Sequence, residues 1–182
     1  MTTLSKCMFA TSLAMALACG GALHAQTNPA QAERAAPAPS AKSNAPDAFF
    51  VQEASASGLA EVNLGKLGAN QGQSSAVKTF GQQMVDDHTK ANEELKTIAS
   101  GKSIEVSAMP PPDSAKAAVA MAKLSGNEFD SAFKQRMVKD HEKAVKLFSK
   151  ESSSGKDPEL KAFATKTLPT LQHHLELARQ LP

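Results

Sequence analysis

The sequence predicts an all-α fold, a bundle of four long helices with one short extra helix. Three observations carry that prediction. Apolar residues recur at steps of three and four over stretches too long for strands, with no run of strict alternation. Proline and glycine clusters cut the chain into helix-length segments. A phrase in one segment, FGQQMVDDHTKA (80–91), also returns in another as FKQRMVKDHEKA (133–144), with eight of twelve positions identical.

Residues 1–25 come first. A single Lys6 precedes an apolar run from Cys7 to Leu17 and small residues ending at Ala25. That is the pattern of a secretory signal peptide, and the run is shorter than the about 20 apolar residues a membrane span needs. Leu23 stands where a small residue is usual before the cut. An alternative exit is a lipid anchor on Cys19, since ALAC before Gly20 resembles a lipoprotein box, although Ala16 replaces the preferred Leu. Either route exports the chain, to the periplasm or to association with the outer membrane, and leaves no transmembrane span in the mature chain. Cleavage after Ala25 removes Cys7 and Cys19, the two cysteines of the sequence, so the mature protein has no disulfide.

Residues 26–45 are rich in Ala, Pro, Ser, Asn and Gln with no large apolar side chain, and read as a disordered linker. The folded domain is 46–182. A first helix is expected over 46–70, with Pro46 suited to its first turn, and a second over 73–100. Pro110, Pro111 and Pro112 interrupt the connection that follows and exclude helix there. Asp113 is placed to cap a short helix over 114–124. A long helix over 127–153 ends in SSSG, and Asp157-Pro158 opens the last one, to 181, as a cap followed by a first-turn proline. Pro169 should kink that helix near Thr165. Short loops make antiparallel hairpins of the first and last pairs, and the Pro-rich crossing joins them. That is ferritin-like connectivity, and the repeated phrase suggests two similar halves.

The net charge, +2 overall and +1 without Lys6, carries no basic run and gives nucleic acid nothing to bind. Tyr and Trp are absent, which also removes aromatic stacking on bases or sugars.

Helical phase locates the candidate site. Val77, Phe80, Met84, Ala91, Leu95 and Ile98 form the inward stripe of the second helix, and His88 falls within it. His141 occupies the same place among Phe133, Met137, Ala144 and Phe148. His174 shares a stripe with Leu171 and Ala178, whereas His173 points about 100° away. Glu61 shares a face with Phe50, Ala54 and Leu64. Each long helix thus turns one ionisable residue inward: Glu61, His88, His141 and His174. Singly, each reads as a hydrogen-bonded core residue. Together, three imidazoles and a carboxylate form a ligand kit for a metal bridging the bundle. Both readings stand at this point, because the four groups also need a common depth. Asp87 and Asp140, beside the histidines, diverge from the same interior point and suit a supporting or interhelical role. The Glu-x-x-His spacing of di-iron bundles is missing, since Val85 and Val138 stand three residues before His88 and His141. Imidazole and carboxylate without thiolate suit zinc, iron, manganese or copper(II).

The segments FFVQEASASGLAEVNLGKLGAN, VKTFGQQMVDDHTKANEEL, LSGNEFDSAFKQRMVKDHEKAVKLF and DPELKAFATKTLPTLQHHLELA resemble, in order, the bacterial domain-of-unknown-function family 4142. The resemblance covers 47–181. It implies a ferritin-like bundle in exported proteins, often labelled outer-membrane proteins, and its matching polar positions are Glu61, Asp87-His88, Asp140-His141 and His174. It implies no reaction. No phosphate loop or nucleophile motif appears, so we read no enzyme. Two functions remain: a metal-binding bundle for buffering or stress protection, or a non-metal envelope module tethered by its flexible linker.

Overall fold

The computed structural model describes residues 45–182. The expected leader over 1–25 and the linker, except Ala45, lie outside the described residues. Within them the chain forms five helices and no strand: α1 (Ala45–Gln71), α2 (Ser75–Gly101), α3 (Pro112–Met121), α4 (Gly126–Ser154) and α5 (Pro158–Gln180). The long helices begin and end within two residues of their expected bounds. The sequence supplies their starts. Ser74 Oγ accepts from Val77 N at 3.2 Å to cap α2, and Asp157 Oδ1 accepts from Glu159 N and Leu160 N, both at 3.0 Å, to cap α5.

One expectation needs correction. The short helix starts at Pro112, with Pro111 at its cap and Asp113 inside its first turn. A proline is admitted at the first helical position, where its missing N–H has no partner to lose; only Pro110 and Pro111 exclude helix. The last helix, α5, runs from Pro158 to Gln180 with Pro169 inside it, as expected.

Packing arranges the long helices in a ring, α1–α2–α5–α4, each touching the next. The antiparallel hairpins α1–α2 and α4–α5 are as expected, with a crossover between them. Two buried aspartates fix the directions. Asp130, in the first turns of α4, accepts from Gln73 N and Ser74 N at the start of α2, both at 2.8 Å. Asp47, at the start of α1, accepts from Lys156 N at 3.1 Å and Asp157 N at 3.0 Å at the start of α5. So α2 runs parallel to α4 across one diagonal, and α1 parallel to α5 across the other. The repeated phrase therefore relates diagonal helices about an axis along the bundle, not hairpin to hairpin in chain order.

The crossover lies against α1, where Ser55 Oγ accepts from Ser107 N at 2.8 Å and the Gln52 amide donates to the Glu105 carbonyl. Its short helix, α3, rests on α1 and α4. Within the first hairpin, α1 and α2 approach backbone to backbone at Gly81. A methyl group there would lie 2.4 Å from Ala69 N and 2.7 Å from Gly65 O, so the crossing admits no larger side chain.

The core falls into two apolar clusters at opposite ends. One gathers Phe50, Leu95, Phe148, Leu160 and Phe163; the other gathers Leu64, Phe80, Met84, Phe133 and Met137. Along each long helix the inward ionisable residue lies between the two. A further buried carboxylate, Glu151, ends the stripe of α4, with Oε1 lacking a partner. Burial, reinforced by Asp47 and Asp157 and opposed by Lys150, raises its pKa from 4.5 to about 7. The folded chain then holds a proton that the unfolded chain has released between those values, so this group lowers stability as pH rises through that window. Glu151→Gln should raise the urea midpoint at pH 8 and leave it unchanged near pH 4.5.

Candidate metal centre

His88 on α2, His141 on α4 and His174 on α5 meet between the two apolar clusters, all buried. Their ring centroids form a near-equilateral triangle with sides of 5.6, 5.6 and 5.4 Å. One ring nitrogen from each lies within 4.8 Å of the other two. The common depth follows from the fold. Parallel α2 and α4 carry the repeated phrase at matching height, and antiparallel α5 brings His174 to the same level from the opposite direction. Phe80 stands beside the triangle, its ring centroid 6.4 Å from that of His141 and 6.3 Å from that of His174.

Hydrogen bonds set which nitrogen faces inward. His141 Nδ1 is 2.9 Å from the Met137 carbonyl oxygen, which only accepts, so Nδ1 carries the proton and Nε2 keeps its lone pair. His174 Nε2 is 2.9 Å from Asp87 Oδ2, so Nε2–H donates to the carboxylate and Nδ1 is left bare. The bare atoms, His141 Nε2 and His174 Nδ1, are buried without partners, as is His88 Nε2. Orienting a metal-binding imidazole through its other nitrogen is the usual support of such sites.

Burial keeps the rings neutral. It lowers the pKa of His88 well below 6.5, helped by His141 and His174. It takes His141 from 6.5 to about 4, with His174 adding to the shift and the Met137 bond opposing it. His174 is lowered by burial against the opposing pull of Asp87. Metal ligation requires neutral imidazole. A tetrahedral ion with metal–nitrogen bonds of about 2.0–2.1 Å would set its ligand nitrogens about 3.3 Å apart. Three neutral imidazoles, each with a ring nitrogen within 4.8 Å of the other two, supply the donor set that a transition metal takes.

Glu61 is also buried and lines the same cavity, but the mutual cluster of ring nitrogens comprises the three histidines alone. Its Oε2 has no partner. Burial pushes its carboxyl well above the usual range, Asp140 adds to that, and Arg136 opposes it. The two flanking aspartates separate in role. Asp87 orients His174, whereas Asp140 receives Arg136 Nε at 2.5 Å and touches no histidine. His173 is exposed. Sequence reasoning missed Glu151, although it lies three residues after Phe148 on the inward stripe. It also missed Arg136, whose Nη2 donates to Ser114 Oγ at 2.6 Å and ties α3 to α4. The cavity measures about 270 Å³.

Comparison with known proteins agrees with this architecture. The model of the family described as Domain of unknown function (DUF4142) matches residues 31–181. The chain belongs to that family. Comparison with curated protein sequences gives no match. Among solved structures, a DUF305 fragment from Deinococcus radiodurans is 12% identical, with a TM-score of 0.68 over 77% of this chain and 97% of that one. CopM in its Cu(I)-bound form is 14% identical, with a TM-score of 0.62 over 74% of this chain and 93% of that one. At these identities the likeness is one of fold, a helical bundle.

Free of metal, the trio should weaken the bundle in acid. Unfolded histidine takes a proton near 6.5, whereas folded His141 resists until about 4. Protons therefore draw the chain toward the unfolded state through that window. The urea midpoint should fall between pH 6.5 and 4, and His141→Gln should make the fall shallower.

Proposed function

We propose that this chain is an exported metal-binding bundle of the cell envelope, in which His88, His141 and His174 hold one transition-metal ion for buffering or stress protection. The observation that carries this reading is that one ring nitrogen of each histidine lies within 4.8 Å of the other two, in three rings that each keep a buried nitrogen without a protein partner. An unpaired buried acceptor costs about 1–3 kcal/mol, and an ion satisfies all three at once. Three imidazoles without thiolate suit zinc or copper, with iron and manganese as further candidates. The fold shared with CopM, whose structure holds Cu(I), favours including copper among the metals tested. The part played by export rests on residues 1–25.

A second reading, a module that binds a small molecule without metal, draws on the cavity, since about 270 Å³ exceeds what one ion fills. Metal titrations separate the two. Protein prepared without chelator or affinity tag should carry close to one transition-metal ion per chain by elemental analysis. The double variant His88→Ala with His141→Ala should carry none. At 100 times its dissociation constant, the metal should add about 2.7 kcal/mol of stability; a melting temperature unmoved by zinc, copper, iron(II) and manganese would favour the second reading. Asp87→Ala should keep the stoichiometry and weaken affinity about 10- to 100-fold, because it releases the ring of His174.

A further inference from the structure

The three imidazoles are neutral and enclosed, so a cation must cross the bundle wall to reach them, and the cavity shows where. Four of its five exposed lining residues, Phe49, Glu53, Asp113 and Lys143, stand on the α1–α3–α4 side; on the α2–α5 side Thr170 is exposed and the Asp87 side chain is 41% exposed. Carboxylates on that side recede into the bundle in order. The side chain of Asp113 is 58% exposed and that of Asp140 11%, while Glu61 is 4% exposed. Positive groups attend the outer two. Arg136 Nη2 is 3.7 Å from Asp113, Arg136 Nε is 2.5 Å from Asp140, and Lys143 Nζ is 3.8 Å from Asp113. On the α2–α5 side the carboxylate lining the cavity, Asp87, is engaged by His174. Among these lining carboxylates, Glu61 alone combines burial with an unpartnered oxygen, Oε2. It occupies the cavity that holds the histidines yet stands outside their cluster.

We infer that a metal cation enters between α1 and α4 beside α3, and that Glu61 receives it at the inner end of this route and passes it to His88, His141 and His174. Such a carboxyl supplies an oxygen ligand, and a negative charge once the incoming ion displaces its proton, where the neutral rings supply none. It exchanges its own contact for three nitrogen bonds as the ion moves on. This inference rests on the metal reading of the centre and assigns its kinetics.

The test uses Co²⁺, whose visible absorption rises when it leaves octahedral water for a tetrahedral nitrogen site, followed by stopped-flow mixing with the purified chain. Glu61→Gln should slow association about tenfold or more while reaching the wild-type absorbance at saturation. Glu61→Asp should restore most of the rate. At the mouth, Lys143→Glu should speed association several-fold at low salt and lose that gain at high salt. Lys78→Glu, on an exposed lysine away from the cavity, should not. Association of Glu61→Gln at the wild-type rate overturns the route, as do equal effects of the two lysine variants. A Glu61→Gln chain altered only in dissociation rate or final absorbance makes Glu61 a resident ligand and overturns the transfer role. A wild-type chain with no cobalt spectrum overturns the metal centre and the route together, whereas the other failures leave the centre standing.

Discussion

The fold depends on carrying a layer of ionisable side chains through the middle of an otherwise apolar bundle. Glu61, His88, His141 and His174 lie between two clusters of Phe, Leu, Met and Val, all four buried. A charged group in that setting costs far more than a neutral one, so burial drives the imidazoles and the Glu61 carboxyl toward their uncharged forms. Neutrality removes the largest penalty and leaves a smaller one. One nitrogen of each ring is buried without a protein partner, and an unpaired buried polar group costs about 1–3 kcal/mol. Domains of this size hold about 5–15 kcal/mol of net stability. The layer therefore takes a real share of the margin, and the two apolar clusters have to supply it.

The rest of the architecture holds that layer level. Asp130 ties the start of α4 to the start of α2, so the two copies of the repeated phrase run side by side in direction and His141 comes level with His88. Asp47 does the same for α1 and α5, through the backbone that opens α5. The close crossing at Gly81 keeps α1 against α2, and Ser55 and Gln52 bind the crossover along α1. Both buried aspartates bond to backbone amides outside their own helix. Each therefore aligns two elements at once, which a capping residue within one helix cannot do.

Much of this was legible beforehand. Breakers and periodicity placed the four long helices because Gly, Ser and Pro stop helices for local reasons. The inward stripes identified all three histidines, since helical phase depends only on spacing. Asp87 could be named as a supporting residue but not assigned, because its partner lies 87 positions away on α5. Asp140 has Arg136 four residues before it, where the first copy of the phrase has Gln83 before Asp87, and it pairs with that guanidinium along its own helix. The separation of Glu61 from the histidine cluster was equally beyond periodicity. Phase gives a residue its face, and only the packed bundle gives its distance from another helix. The same limit explains the pseudo-symmetry: a repeat shows that two helices are alike, not which corners of the ring they occupy.

Under the metal reading, the neutrality of the layer has an electrostatic consequence. An ion bound by three uncharged rings brings its full positive charge into a region of low dielectric, where it acts strongly on nearby groups. Asp87 meets part of that charge through His174, whose Nε2–H becomes a better donor once Nδ1 is ligated. Asp140 is held by Arg136 and has less to offer. Glu61 is left, a carboxyl that burial and Asp140 push toward its protonated form against the pull of Arg136. Arrival of the ion adds positive charge and favours release of the proton. Any proton released on binding then comes from the carboxyl rather than from the rings, which burial already holds neutral. A site assembled in this way exchanges a proton for a metal without disturbing the groups that hold it, and the layer regains near-neutrality with its orphan acceptors satisfied.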